Sequence, residues 1–126
     1  MLSKQVESVM KSSLVKFSKQ LNIPLKEFRI KMKLDESLEQ PICIAMHKSN
    51  TIKNLDWNSI LGLKSIFKDS IVSVIRDRLH TLSDANNIEK KNISVKFTAK
   101  DTNGTPIIYL CDGAKTIKDI EIKDFI

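Results

Sequence analysis

Glycine is scarce in this chain, three residues in 126, and so are proline, also three, and cysteine and histidine, two each. Three scattered glycines cannot build a glycine-rich phosphate cradle, and no G-x-S-x-G elbow, H-E-x-x-H or C-x-x-C occurs. No stretch approaches the ~20 apolar residues that a membrane-spanning helix requires, so no membrane association is expected. Cys43 and Cys111 fall short of a secreted disulfide framework, which makes a reducing, cytoplasmic setting the expectation. Lys4, Lys11, Lys16 and Lys19 with several serines resemble a basic targeting peptide, but this stretch has a counterpart at 66–86, which argues against a cleaved leader. With one tryptophan and one tyrosine, aromatic surfaces for stacking on bases are nearly missing, and Tyr109 is the one candidate.

What the chain does have is a repeat. Residues 1–61 align without a gap on residues 66–126 at a constant offset of 65. Identities run the length of the alignment: Ser8 with Ser73, Val9 with Val74, Leu14 with Leu79, Ser18 with Ser83, Asn22-Ile23 with Asn87-Ile88, Lys31 with Lys96, Pro41-Ile42 with Pro106-Ile107, and Thr51-Ile52-Lys53 with Thr116-Ile117-Lys118. Apolar character is also kept, as in Val6 with Ile71, Phe28 with Ile93, Ile30 with Val95 and Met32 with Phe97. This pattern marks one supersecondary unit duplicated in tandem.

Each unit reads as helix, strand, strand and a short third strand. Val6, Val9, Met10, Leu14, Phe17 and Leu21 recur at helical steps, as do Ile71, Val74, Ile75, Leu79 and Leu82, and Asn22 and Asn87 stand where a left-handed residue ends a helix. Phe28, Ile30, Met32 and Leu34 then alternate with Glu27, Arg29, Lys31 and Lys33, and Ile93, Val95, Phe97 and Ala99 alternate with polar residues, the period of a half-buried strand. Asn103-Gly104 is a hairpin signal, Pro41 and Pro106 open second strands at 42–47 and 107–112, and 51–55 and 116–122 are candidate third strands. Asp56 or Ser65 is placed to cap a helix, with a short turn at Trp57–Leu61 and a break at Gly62.

With 41% apolar residues, the chain can bury one ordinary core, so residues 1–126 are expected to form a single domain. The expected class is α+β: a two-layer sandwich whose antiparallel sheet carries both helices on one face, Val9, Leu14, Phe17, Val74, Leu79 and Leu82 packing on Phe28, Ile30, Met32, Ile93, Val95 and Phe97. In topology alone, tandem helix-strand-strand units are similar to the permuted ferredoxin-like modules of assembly proteins in secretion and pilus machines. A duplicated helix with three strands is also similar to the half-domains of sliding clamps. Both likenesses are architectural and imply no residue roles.

Charge is asymmetric. Residues 1–65 hold eleven basic and six acidic groups (+5), and residues 66–126 hold ten and nine (+1). Lys26, Arg29, Lys31 and Lys33 line one strand and Lys96 its counterpart, a candidate basic patch for phosphates. The run Ile107-Ile108-Tyr109-Leu110-Cys111 lacks alternation, which predicts cover on both faces. Ile108, Tyr109 and Leu110 are therefore the candidate contact of a homodimer, and Lys53 and Lys118 are candidate repeat-related partner contacts. Cys43 and His47, four residues apart on a strand, are ~13 Å apart and too distant to share a metal ion. His80 reads as solvent-facing, and Asp35, Glu36 and Glu39 as loop charges.

No nucleophile, base and stabiliser can be assembled from two histidines and two cysteines, so no catalytic residue, metal or cofactor is assigned. The expectation is a non-enzymatic binding or assembly module that acts through protein contacts and self-associates. A nucleic-acid-binding protein using Arg29, Lys31, Lys33 and Lys96 is the alternative.

Overall fold

The computed structural model describes residues 2–35, 40–61 and 68–125, without the Leu2 side chain. The elements are α1 (Leu2–Gln20), β1 (Phe28–Lys33), β2 (Ile42–His47), β3 (Asn50–Leu55), α2 (Trp57–Leu61), α3 (Lys68–Asn86), β4 (Ile93–Ala99), β5 (Pro106–Asp112), β6 (Lys115–Ile120) and α4 (Ile122–Phe125). All six strands join one antiparallel sheet in the order β3-β2-β1-β4-β5-β6, and the fold is α+β. The sequence expectations for Glu36, Glu39, Gly62 and Ser65 lie outside the described residues.

The helices form where apolar residues recur every three or four positions. Val6, Met10, Leu14 and Phe17 of α1 are buried, and so are Ile71, Val72, Ile75 and Leu79 of α3. Val74, expected in the core, is half-buried, because the stripe through 71, 72, 75 and 79 leaves it at the margin. Asn22 and Asn87 end the helices with φ of 55° each, and the next amides turn back in the same way: Ile23 N–H donates to the Ser18 carbonyl at 2.9 Å, Ile88 N–H to the Ser83 carbonyl at 3.0 Å. Asp56 caps α2 by accepting the Asn58 N–H at 3.1 Å, and Trp57 Nε1 donates to the Pro41 carbonyl at 2.7 Å, tying α2 to the start of β2.

Phe28, Ile30 and Met32 of β1, Cys43 and Ala45 of β2, Ile93, Val95 and Phe97 of β4, and Ile108 and Leu110 of β5 all belong to one buried cluster with the apolar residues of α1 and α3. Alternate positions of the same strands, among them Ile44, Met46 and Cys111, are buried outside that cluster. The third strands are present and run along the two sheet edges. Each carries a bulge at the same place: Lys53 pairs with Ala45 and Thr51 with Met46, leaving Ile52 unpaired, while Lys118 pairs with Leu110 and Thr116 with Cys111, leaving Ile117.

The β4–β5 hairpin closes against α1. Asp101 accepts the N–H groups of Asn103 at 3.0 Å and Thr105 at 3.2 Å, and Gly104 has φ of 83°. A Cβ at Gly104 would sit 2.7 Å from Val15 Cγ2 and 2.9 Å from the Lys11 carbonyl oxygen. Gly104→Ala therefore combines left-handed strain with a clash against helix backbone, and is expected to cost about 3 kcal/mol in a urea titration. A loss below about 0.5 kcal/mol would show that the loop does not seat on α1.

The hydrogen bonds from the Thr105 backbone, with those from the Thr105 hydroxyl and Asn103, hold the Asp101 carboxyl below its ordinary value of 3.8. A depressed folded value means that this contribution is present above the ordinary pKa and is lost as pH falls through the folded value. The urea midpoint of Asp101→Asn should accordingly fall less than that of the unmodified chain between about pH 5 and pH 2. Equal falls would remove Asp101 from the acid limb.

Candidate functional site

Period two sets Arg29, Lys31 and Lys33 on the face of β1 opposite Phe28, Ile30 and Met32, and the register with β4 brings further groups beside them. Arg29 stands opposite Thr98, Lys31 opposite Lys96, and Lys33 opposite Ser94. On the other flank, β2 sets Met46, Ile44 and Ile42 against the same three β1 residues. Beyond β4, Ile107 faces Thr98, Tyr109 faces Lys96 and Cys111 faces Ser94. The outer face of the sheet is thus a central stripe of four cations bordered by two apolar rows.

Arg29, Lys31, Lys33 and Lys96 are all half-buried, so their stems lie on the sheet while their heads keep access to water. Among the described residues no carboxylate lies within 4.0 Å of Lys31, Lys33 or Lys96. Burial, then the charges of Lys33 and Lys96, hold the Lys31 ammonium below the usual lysine range. Like charges directly opposed across strands destabilise a sheet, and an anion between them would remove that conflict. Arg29 is braced by donating through Nη1 to the carbonyls of Lys26 at 2.8 Å and Phe28 at 3.1 Å. Lys26 itself is exposed in the turn before β1, outside the strand registers. Ser94 Oγ is buried in this face and has no hydrogen-bond partner among the described residues.

The 107–111 run separates into two faces. Ile108 and Leu110, 2% and 0% exposed, pack in the core cluster, so neither is available as a partner contact, whereas Tyr109 is half-buried on the cationic face. The absence of alternation arises because Ile107 and Cys111 are apolar on the outer face too, and Cys111 is fully buried there. Since β5 already pairs with β4 and β6, it has no free edge for a second copy.

Lys53 and Lys118 are exposed on the edge strands, each beside a bulge. Ile52 and Ile117 at those bulges are 46% and 39% exposed, the exposed large apolar residues of the described chain. Strand propensity alone would bury both isoleucines, and a bulge interrupts the period of two on which that expectation rests.

Cys43 is buried in the core, and burial pushes its thiol up. His47 Nε2 lies 2.8 Å from Glu27 Oε1, and that hydrogen bond lowers the Glu27 carboxyl. His80 is exposed. Among the described residues no three His, Cys, Asp or Glu side chains gather to hold a metal ion. A groove of about 820 Å³ between β5, β6 and α4 is lined by Lys100, Lys118 and Lys123 together with Asp119, Glu121 and Asp124, a mixture that selects no ligand charge. No described helix is long and apolar enough to cross a membrane. Comparison with family models, with curated proteins and with solved structures finds no match.

Proposed function

We propose that the chain is a non-enzymatic binding module, a single domain of two tandem copies with both long helices on one sheet face, and that the opposite face holds a polyanionic partner. The observation that carries the reading is the register: four cations converge across β1 and β4, and none of the four has a carboxylate within 4.0 Å among the described residues.

The duplication is supported by features that recur at the offset of 65. The positive-φ residues Asn22 and Asn87, and Lys48 and Gly113, are such pairs, as are the bulges at Ile52 and Ile117. The amide of Lys48 donates to the Glu27 carbonyl and that of Gly113 to the Asn92 carbonyl, each at 2.8 Å. Lys31 pairs with its own repeat mate Lys96, while Ile30 pairs with the mate of Met32 and Met32 with the mate of Ile30. A local two-fold axis between Lys31 and Lys96 requires this register, and it doubles the central charge. One-sided helix packing is supported by the core cluster, which takes only one face of each central strand.

Binding to inorganic polyphosphate tests the reading. Affinity should fall steeply with salt, and Lys31→Ala should reduce the log–log slope by about one. No binding at low salt would contradict it.

A second copy or another protein at the sheet edges is a second reading, favoured by exposed Ile52 and Ile117 with Lys53 and Lys118 beside them. Bulges and lysines on edge strands oppose pairing with another edge, and a face-to-face dimer would set the cationic stripe against itself. Light scattering without polyanion is expected to return the monomer mass of 14.4 kDa. Twice that mass would favour self-association.

A further inference from the structure

We infer that the polyanion is single-stranded nucleic acid, lying with its phosphates along β1 and a base against Tyr109; the inference rests on the polyanion reading of the same face. Arg29, Lys31 and Lys33 recur every second residue, about 6.8 Å apart along the strand, a spacing comparable to that of successive phosphates in an extended strand. Tyr109 stands beyond Lys96, two strand spacings or about 9.6 Å from that row, within the span of a nucleotide from phosphate to base once the long lysine stems are counted.

The way the halves differ supports a ligand with two unlike sides. Core-facing repeat mates all stay apolar: Phe28 and Ile93, Ile30 and Val95, Met32 and Phe97, Ala45 and Leu110. Outer-face mates are mixed: Lys31 and Lys96, and Ile42 and Ile107, are identical, whereas Arg29 changes to Ser94, Lys33 to Thr98 and Ile44 to Tyr109. The β1 side is thereby the more cationic, and the other side, where Ser94 and Thr98 are buried, offers the half-buried ring of Tyr109, so that contacts suited to a phosphate and to a base stand on different sides. A duplex fits poorly, because entry to its major groove takes a helix or a two-stranded ribbon, and here a broad sheet surface carries the charge.

Fluorescence anisotropy of short labelled oligo(dT) and oligo(U), of a duplex of equal length and of labelled polyphosphate tests this. Single strands should bind more tightly than duplex. Tyr109→Ala should weaken single strands about tenfold without changing polyphosphate affinity, and Tyr109→Phe, which keeps the ring, should bind as the unmodified chain does. The oligo(dT) and oligo(U) arms separate DNA from RNA, and tight binding of either supports the inference. Polyphosphate binding with no preference for single strands would overturn it while leaving the polyanion reading intact, and would turn attention to an acidic protein. Failure of polyphosphate as well would remove both. A single-strand affinity unaffected by Tyr109→Ala would overturn the placement of the base.

Discussion

Lys31→Glu combined with Lys33→Glu is expected to weaken polyanion binding at least about a hundredfold at moderate salt, because the change removes two phosphate contacts and adds two repulsive charges. The same substitutions should leave the fold intact. Both side chains are half-buried on the outer face and neither belongs to the core cluster. Lys31 stands opposite Lys96, so a glutamate there replaces a like-charge pair with an opposite-charge one, contributing about 0.2–1 kcal/mol of stability across the strands. Opposite signs for binding and stability are what a site held against its own charge should give. Loss of binding together with an unfolded circular dichroism spectrum would leave the effect structural, and Lys31→Gln then serves as the milder variant. Unchanged binding in a folded double variant would rule out this face.

Phe125→Ala is expected to destabilise the chain by about 4 kcal/mol and lower its melting temperature by more than about 10 °C. Phe125 is 0% exposed, and its ring meets Phe97 edge-on with centroids 6.0 Å apart. Helix α4 spans only Ile122–Phe125, yet it contacts α1 and brings this ring into the core, as α2 does with Ile60 in the first half. Truncating a buried phenylalanine loses both its transfer energy and the contacts of the cavity walls. A thermal melt shifted by only a few degrees would show that α4 lies on the surface of the domain and is not part of its core.

The parts of this fold that the sequence made legible are those with a repeating signal. Phe28, Ile30 and Met32 alternate over a full strand, and Val6, Met10, Leu14 and Phe17 hold helical spacing over about three turns, so both periods stand clear of noise. Trp57–Leu61 and the stops at Asn22 and Asn87 were readable because their capping chemistry is local. α4 was missed because four residues are too few for any period. The bulges were missed because an extra residue breaks alternation without leaving a mark in composition, and they turned Ile52 and Ile117 outward where strand propensity implied burial. Ile108 and Leu110 were misassigned as contacts because an apolar run shows that both faces are covered but not which residues face the core. The cationic face was legible as a row on β1, but its partner Lys96 became part of the same site only through the register with β4.

The most direct measurement is an amide-resolved NMR titration of the whole chain with polyphosphate. The largest shifts are expected on β1 and β4 around Arg29, Lys31, Lys33 and Lys96, extending to Tyr109, with little change along β3, β6 or the groove beside α4. Shifts concentrated at the edge strands or in that groove, or none at saturating ligand, would contradict it.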